Sequence, residues 1–158
     1  MTLASTFRQT SCKLRAMFTL ESSLNFPLPP DRVWQALVDT RQYSFWNPLI
    51  RKFDAPAGLA PGKPAQLQVR LWGTSLRFRV TILEVSHAHR LAWRGGVSGC
   101  LTGEHEFLLY AEANGTRLVH REVFRGAFSR LIPRNLQLSL EKQFAMMDHA
   151  LHRYLLPL

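Results

Sequence analysis

The segment GEHEFLLYAEANGTRLVHREVFRG, residues 103–126, says more about the fold than any other part of the chain. At its centre Asn114-Gly115 is a strong two-residue hairpin signal, because both residue types tolerate the positive φ of a type I′ turn. On either side apolar and polar residues alternate with the period of two that a half-exposed strand requires. A turn centred there pairs Glu112 with Arg117 and Glu104 with Arg125 on one face, and opposite charges across strands are stabilising. The other face then holds His105, Phe107 and Leu109 against Phe124, Glu122 and His120. In this register His105 stands diagonally from Glu122, about 7–8 Å away. Asn114-Gly115-Thr116 also matches a glycosylation sequon, but no secretory signal accompanies it and the turn accounts for it.

The pattern extends toward the N-terminus. Leu91 and Trp93 alternate with Arg90, Ala92 and Arg94 in a preceding strand. Before it, Leu67–Leu71 and Leu76–Val80 flank Gly73-Thr74, a second two-residue turn. That register sets Val69 against Phe78 and Leu71 against Leu76 on one face, and Arg70 against Arg77, with Arg79 nearby, on the other. Leu49–Phe53 reads as a short strand followed by a Pro/Gly-rich loop from Ala55 to Pro64. Phe18, Leu20, Leu24 and Phe26 form a first strand that stops at Pro27. Pro29-Pro30-Asp31 opens a helix carrying Val33, Trp34, Leu37 and Val38 at helical spacing. A second short helix through Tyr43-Ser44-Phe45 ends before Pro48, since the residue preceding proline is driven out of helical geometry.

Toward the C-terminus a long helix begins near Arg134. Leu136, Leu140, Phe144, Met147, Leu151 and Leu155 recur at steps of three or four. Burying six such side chains contributes at most roughly 9–18 kcal/mol before entropy is counted, so this helix must lie on an apolar surface. Phe128, Leu131 and Ile132, in the link from Gly126 to Pro133, are either a lid over whatever lies beneath or an anchor against the helix.

The whole chain has 158 residues, 46% of them apolar and 20% charged, which suits one domain and is too apolar for a disordered chain. Cys12 and Cys100 cannot make a disulfide framework and match no zinc or CxxC spacing. No apolar run is long enough to span a bilayer. Residues 1–16 contain three positive charges, no acid and several Ser and Thr, a composition weakly like a transit peptide. They read as a disordered tail, or as residues ahead of a native start at Met17, leaving a single domain over 17–158. Without them the net charge falls from +9 to +6. A basic balance fits a nucleic acid, an anionic surface or nothing specific, and composition does not choose.

Five motifs occur in order: Val33-Trp34-x-x-Leu37-x-Asp39, Tyr43-x-x-Trp46-Asn47-Pro48, Arg90-Leu91-x-Trp93, Gly103-x-His105-x-Phe107, and Thr116-x-Leu118-x-His120-x-Glu122-x-Phe124-x-Gly126. Over about residues 18–156 the chain resembles the START-like (SRPBCC) superfamily, and most resembles its polyketide cyclase/dehydrase-like branch. The resemblance implies an α+β helix-grip fold. A curved antiparallel sheet of about seven strands would wrap a long C-terminal helix, with two short helices after strand 1 and a deep apolar cavity between sheet and helix. Members bind lipids, sterols, polyketides, plant hormones or quinone-type molecules, and some are enzymes, so the fold constrains function only to a class.

Under that fold the expected ligand-binding residues are Trp46, Val69, Phe78, Trp93, Phe107, Phe124, Phe144 and Met147, with His105, His120 and Glu122 as the polar members. The leading expectation is a binding protein for a small hydrophobic ligand. The second is a cyclase/dehydratase-like enzyme using His105, His120 and Glu122 for acid–base work. The polar trio also reads as a satisfied structural network or as a means of orienting ligand; two His and a Glu can bind zinc, but no metal or cofactor is expected. No Ser or Cys nucleophile signature is present, and Ser129 and Ser139 read as loop and helix-surface residues. Aromatase/cyclase members suggest an arginine-containing pocket, whereas alternation places no arginine inward. A third expectation is an interaction module on the outer sheet face, where Arg70, Arg77 and Arg79 gather with Arg90 and Arg94 nearby, or at outward-facing Trp72. Such a patch suits peripheral contact with an anionic surface. Nucleic acid is not expected, the setting expected is cytoplasmic, and the protein is expected to be a monomer or weak homodimer.

Overall fold

The computed structural model describes residues 18–156, so the tail assigned to residues 1–16 lies outside it. The strands are β1 (Phe18–Phe26), β2 (Ile50–Asp54), β3 (Pro64–Leu71), β4 (Thr74–Ser86), β5 (Arg90–Val97), β6 (Leu101–Glu112) and β7 (Gly115–Arg125). The helices are α1 (Pro30–Val38), α2 (Tyr43–Trp46) and α3 (Arg134–Leu155). All seven strands join one antiparallel sheet in the order β1-β7-β6-β5-β4-β3-β2. The sheet curls into a half-barrel, and irregularities at Ile50/Lys52 and Ile82/Glu84 bend two of its strands. The long helix α3 lies in its concave side, the helix-grip arrangement expected from the motifs.

Both hairpins turn one residue earlier than the turn signals place them. In the β3–β4 hairpin Trp72 (φ 49°) and Gly73 (φ 81°) form the turn, so Leu71 meets Thr74, Val69 meets Leu76 and Leu67 meets Phe78. In the β6–β7 hairpin Glu112 pairs with Gly115, Phe107 with His120 and His105 with Glu122. Gly115 is required there, because a Cβ would stand 2.0 Å from the carbonyl oxygen of Phe26. Each register is displaced by two residues, which keeps every side chain on its expected face. The charge pairs therefore survive as diagonal contacts. Arg117 Nε donates to Glu112 Oε1 over 2.8 Å, and Arg125 Nη1 lies 3.4 Å from Glu104 Oε2.

The same displacement removes the expected opposition of Arg70 and Arg77, which face Ser75 and Gln68 instead. Nor do Arg90 and Arg94 extend that basic patch. Arg90 is bonded to Glu84 and to the nearly buried Glu106, and Arg94 Nη2 reaches Glu104 over 3.0 Å. Arg121 closes on Glu106 from the other side. Neutralised in this way, the convex face of β5, β6 and β7 is a lattice of paired charges, whereas Arg70, Arg77 and Arg79 on β3 and β4 are exposed and have no ion-pair partner among the described residues. Trp72 does not simply face outward either: its Nε1–H donates to Ser139 Oγ on α3 over 2.6 Å. Ser139 is thus a helix-surface residue with a partner. Ser129 is buried in the 3-10 turn Ala127–Leu131, its hydroxyl donating to Gly126 O.

Asn47 explains the α2–β2 junction. It is fully buried, and its Oδ1 accepts from the backbone N–H groups of Leu49 (2.9 Å) and Ile50 (2.8 Å). Nearby, the buried Tyr43 hydroxyl donates to Leu37 O over 2.9 Å, and burial pushes its phenol well above the ordinary value. On α3 only the middle of the expected stripe is deeply buried, through Phe144, Met147 and Leu151. Leu136, Leu140 and Leu155 are half-buried, and Asp148 joins the buried face.

Candidate functional site

Between α3 and the sheet lies a cavity of about 260 Å³. It exists because two inward positions carry no side chain. Gly95 on β5 and Gly103 on β6 pair directly with each other, and both line the space. A Cβ on Gly95 would come within 3.1 Å of Val80 Cγ1, and one on Gly103 within 2.9 Å of Glu122 Oε1. Around this gap stand Val69, Phe78, Trp93, Phe124, Phe144 and Met147, and the polar part of the wall is His105, Glu122 and Gln143. Among the described residues no arginine lines the cavity, as alternation indicated. Of the eleven residues expected to bind ligand, Trp46, Phe107 and His120 lie outside the lining. Phe107 and His120 are fully buried beneath it. Trp46 packs between Tyr43 and Tyr154, and its Nε1 has no partner among the described residues.

The polar residues form a chain rather than a cluster. Asp148 on α3 accepts from the Ser22 hydroxyl (2.5 Å) and from His120 Nδ1–H (2.6 Å). His120 Nε2 lies 3.0 Å from His105 Nε2, and His105 Nδ1 lies 3.6 Å from Glu122 Oε2. Burial pushes His120 down to about 4, overriding the Asp148 hydrogen bond that favours its charged form, so at neutral pH the ring carries one proton. Asp148 holds that proton on Nδ1 and leaves Nε2 as an acceptor. His105 must then donate from its Nε2, and its Nδ1 is turned toward Glu122. At 3.6 Å that last gap exceeds a direct hydrogen bond, so both groups keep capacity for a polar atom in the cavity.

Aromatic neighbours fix the ring planes. Phe144 stacks on His120 at 3.6 Å and 12°, and Phe107 lies 4.6 Å from it. Trp93 stacks beneath His105 at 4.4 Å and 13°. The corrected register matters here, because His105 and Glu122 are directly opposed rather than diagonal. Each imidazole nitrogen points to a different neighbour, so these residues do not converge on one point. Among the described residues no group of three His, Cys, Asp or Glu is placed to hold a metal ion.

Asp148 was not anticipated from sequence. Its signal was available: an acid four residues after Phe144 and three before Leu151 falls on the apolar stripe, where a carboxylate needs a partner. Gly95 and Gly103 were also missed as makers of the cavity.

A half-barrel gripping a C-terminal helix over an apolar cavity defines a START-like protein. The chain belongs to the polyketide cyclase/dehydrase and lipid transport family, whose model matches residues 17–151. Its fold is similar to that of a START superfamily protein from Mycobacterium smegmatis (13% identity, TM-score 0.70, covering 87% of this chain and 96% of that one). It is also similar to protein jhp0584 from Helicobacter pylori (16% identity, TM-score 0.73, 98% of each chain). DynU16, from the dynemicin biosynthetic locus, matches with 21% identity and a TM-score of 0.67 over 87% of this chain and 46% of that one. No curated protein sequence matches the chain. No helix among the described residues is long and apolar enough to cross a membrane.

Proposed function

We propose that this protein encloses a small hydrophobic molecule bearing one hydrogen-bonding group, with that group directed at His105 and Glu122. The observation that carries this reading is the cavity itself: apolar walls, two facing glycines that keep it open, and a polar end with unused hydrogen-bonding capacity. Ligand pockets have this composition. A cavity of about 260 Å³ suits a fused-ring aromatic or quinone-sized molecule. Titration of isotope-labelled protein with 2-naphthol tests the reading. Backbone shifts are expected at Gly95, Gly103 and Val69, with naphthalene binding more weakly. Absence of cavity shifts with both compounds would overturn it.

A second reading, proton transfer to or from a bound carbonyl compound, is favoured by Asp148. A carboxylate that fixes the tautomer of His120, which in turn fixes His105, leaves His105 Nδ1 and the Glu122 carboxylate as two proton acceptors facing the ligand. NMR-detected exchange of the α-hydrogens of 2-tetralone in deuterated buffer is the measurement. Exchange at the buffer rate would leave binding alone.

A further inference from the structure

The exposed members of the cavity lining, Phe78 and Gly96, stand at the end where three turns and the start of α3 meet, which makes that end the mouth. Phe128 N–H donates to Cys100 O over 3.0 Å and Ala127 N–H to Gly99 O over 3.1 Å, tying the 3-10 turn after β7 to the β5–β6 turn. The Trp72–Ser139 bond ties the β3–β4 turn to α3. Leu71, Phe78, Leu101 and Leu140 line the cavity from this end.

Six of the eleven exposed large apolar side chains among the described residues stand on these turns or beside them. They are Trp72, Leu76, Phe78, Val97, Phe128 and Leu131, between 38% and 70% exposed. Single exposed apolar residues are ordinary, whereas a ring of them around one opening marks a contact surface. Trp72 is moreover held at φ 49°, a conformation that bulky residues avoid. The 3-10 turn carrying Phe128 and Leu131 thus exposes both instead of anchoring them on α3.

Among the described residues the unpaired charges beside this ring are of one sign. Arg70 and Arg77, on the outer face of the β3–β4 hairpin, and Arg130, on the 3-10 turn, are exposed and have no ion-pair partner among the described residues. Glu141, the acid near the start of α3, lies 3.3 Å from Arg134. The mid-sheet Arg90, Arg94, Arg121 and Arg125 are all paired with acids. Apolar side chains flanked by unpaired arginines complement the boundary between anionic headgroups and acyl chains.

We infer that the cavity mouth docks on an anionic lipid bilayer, with the apolar ring at the headgroup boundary and Arg70, Arg77 and Arg130 on lipid phosphates. The inference goes beyond ligand enclosure and fails separately from it, since cavity binding of 2-naphthol does not require the rim. A docked mouth would let a membrane-dissolved apolar molecule reach the cavity without crossing water.

The test is sedimentation of the full chain with phosphatidylcholine vesicles, with and without phosphatidylglycerol, at low and high salt. Two double variants, R70Q/R77Q and F128S/L131S, accompany the parent, all four positions being solvent-facing; circular dichroism checks their fold. The expected result is binding that needs phosphatidylglycerol, weakens with salt, and falls roughly tenfold or more in each double variant. Brominated lipid is expected to quench the parent more than a Trp72→Phe variant. Lack of binding to phosphatidylglycerol vesicles at low salt would overturn the proposal. Binding that both double variants leave unchanged would also overturn it, placing the contact elsewhere. Retention of a protein partner by the parent but not by the rim variants, without vesicle binding, would reassign the surface and overturn it as well.

Discussion

Asp148 Oδ1 lies 2.6 Å from His120 Nδ1, joining the concluding helix to the last strand through a fully buried imidazole. The contact links stability to the state of the cavity. A neutral His120 oriented by Asp148 presents its Nε2 to His105, the residue whose ring reaches the cavity wall. The helix therefore sets the hydrogen-bonding direction of a group to which it makes no hydrogen bond of its own.

Stability should fall in mild acid. The unfolded imidazole titrates near its ordinary value of about 6.5, while burial holds the folded group at about 4. Between these values the unfolded chain binds a proton that the folded chain does not, so unfolding becomes easier as pH drops from about 6.5 toward 4. Above that window both states are neutral and the contribution is flat. The full effect is of order 3 kcal/mol. Urea unfolding across the window should show this slope, and it should flatten in His120→Asn, which keeps an N–H directed at Asp148. An equal slope in the variant would assign the acid sensitivity to other groups.

Removing the carboxylate tests the same contact from the helix side. Asp148→Ala leaves the Ser22 hydroxyl and His120 Nδ1–H without their acceptor, and an unsatisfied buried polar group costs roughly 1–3 kcal/mol. Asp148→Asn retains an acceptor oxygen for His120 and an amide that can donate to Ser22. Thermal melts at neutral pH should therefore rank the parent first, Asp148→Asn next and Asp148→Ala last. Equal melting of the two variants would show that hydrogen bonding is not what Asp148 supplies.

The residues show why some features were legible in the sequence and others were not. Alternation in β3–β7 assigned side chains to faces correctly, because a displacement of two residues leaves a period of two unchanged. Pairing across strands depends on where the turn falls, and here Trp72 takes a positive-φ position that sequence rules reserve for Gly, Asn or Asp. The unit shift at each turn moved His105 from a diagonal to a direct position opposite Glu122. Asp148 was hidden because the helical stripe was sought through its apolar members. The residues that keep the cavity open were hidden for a different reason: Gly95 and Gly103 are informative only once their strands are paired.

Glu122→Gln separates ligand recognition from packing. The substitution keeps shape but removes charge at a side chain only partly buried, so the melting temperature should change little. If a ligand hydroxyl donates to Glu122, its affinity should fall by roughly fivefold, corresponding to a net hydrogen bond of about 1 kcal/mol. Naphthalene, which cannot make that bond, should bind both proteins alike. Unchanged 2-naphthol affinity together with a lowered melting temperature would leave Glu122 a structural role only.

Gly103→Ala tests the origin of the polar end. Its new Cβ would stand 2.9 Å from Glu122 Oε1 and 3.5 Å from Phe124 Cε1. The first distance requires movement, and the mobile partner is the far end of a flexible side chain, so the carboxylate rather than the backbone should shift. Gly in a strand interior is itself unfavourable, and replacing it partly offsets the crowding. The expected outcome is near-parental stability with weakened 2-naphthol binding, and a His105 ring resonance displaced in the ligand-free protein. Combining Gly103→Ala with Glu122→Gln should lower affinity little further, because both changes act on one contact. Additive losses would mean that Gly103 supports the ligand through the cavity volume instead.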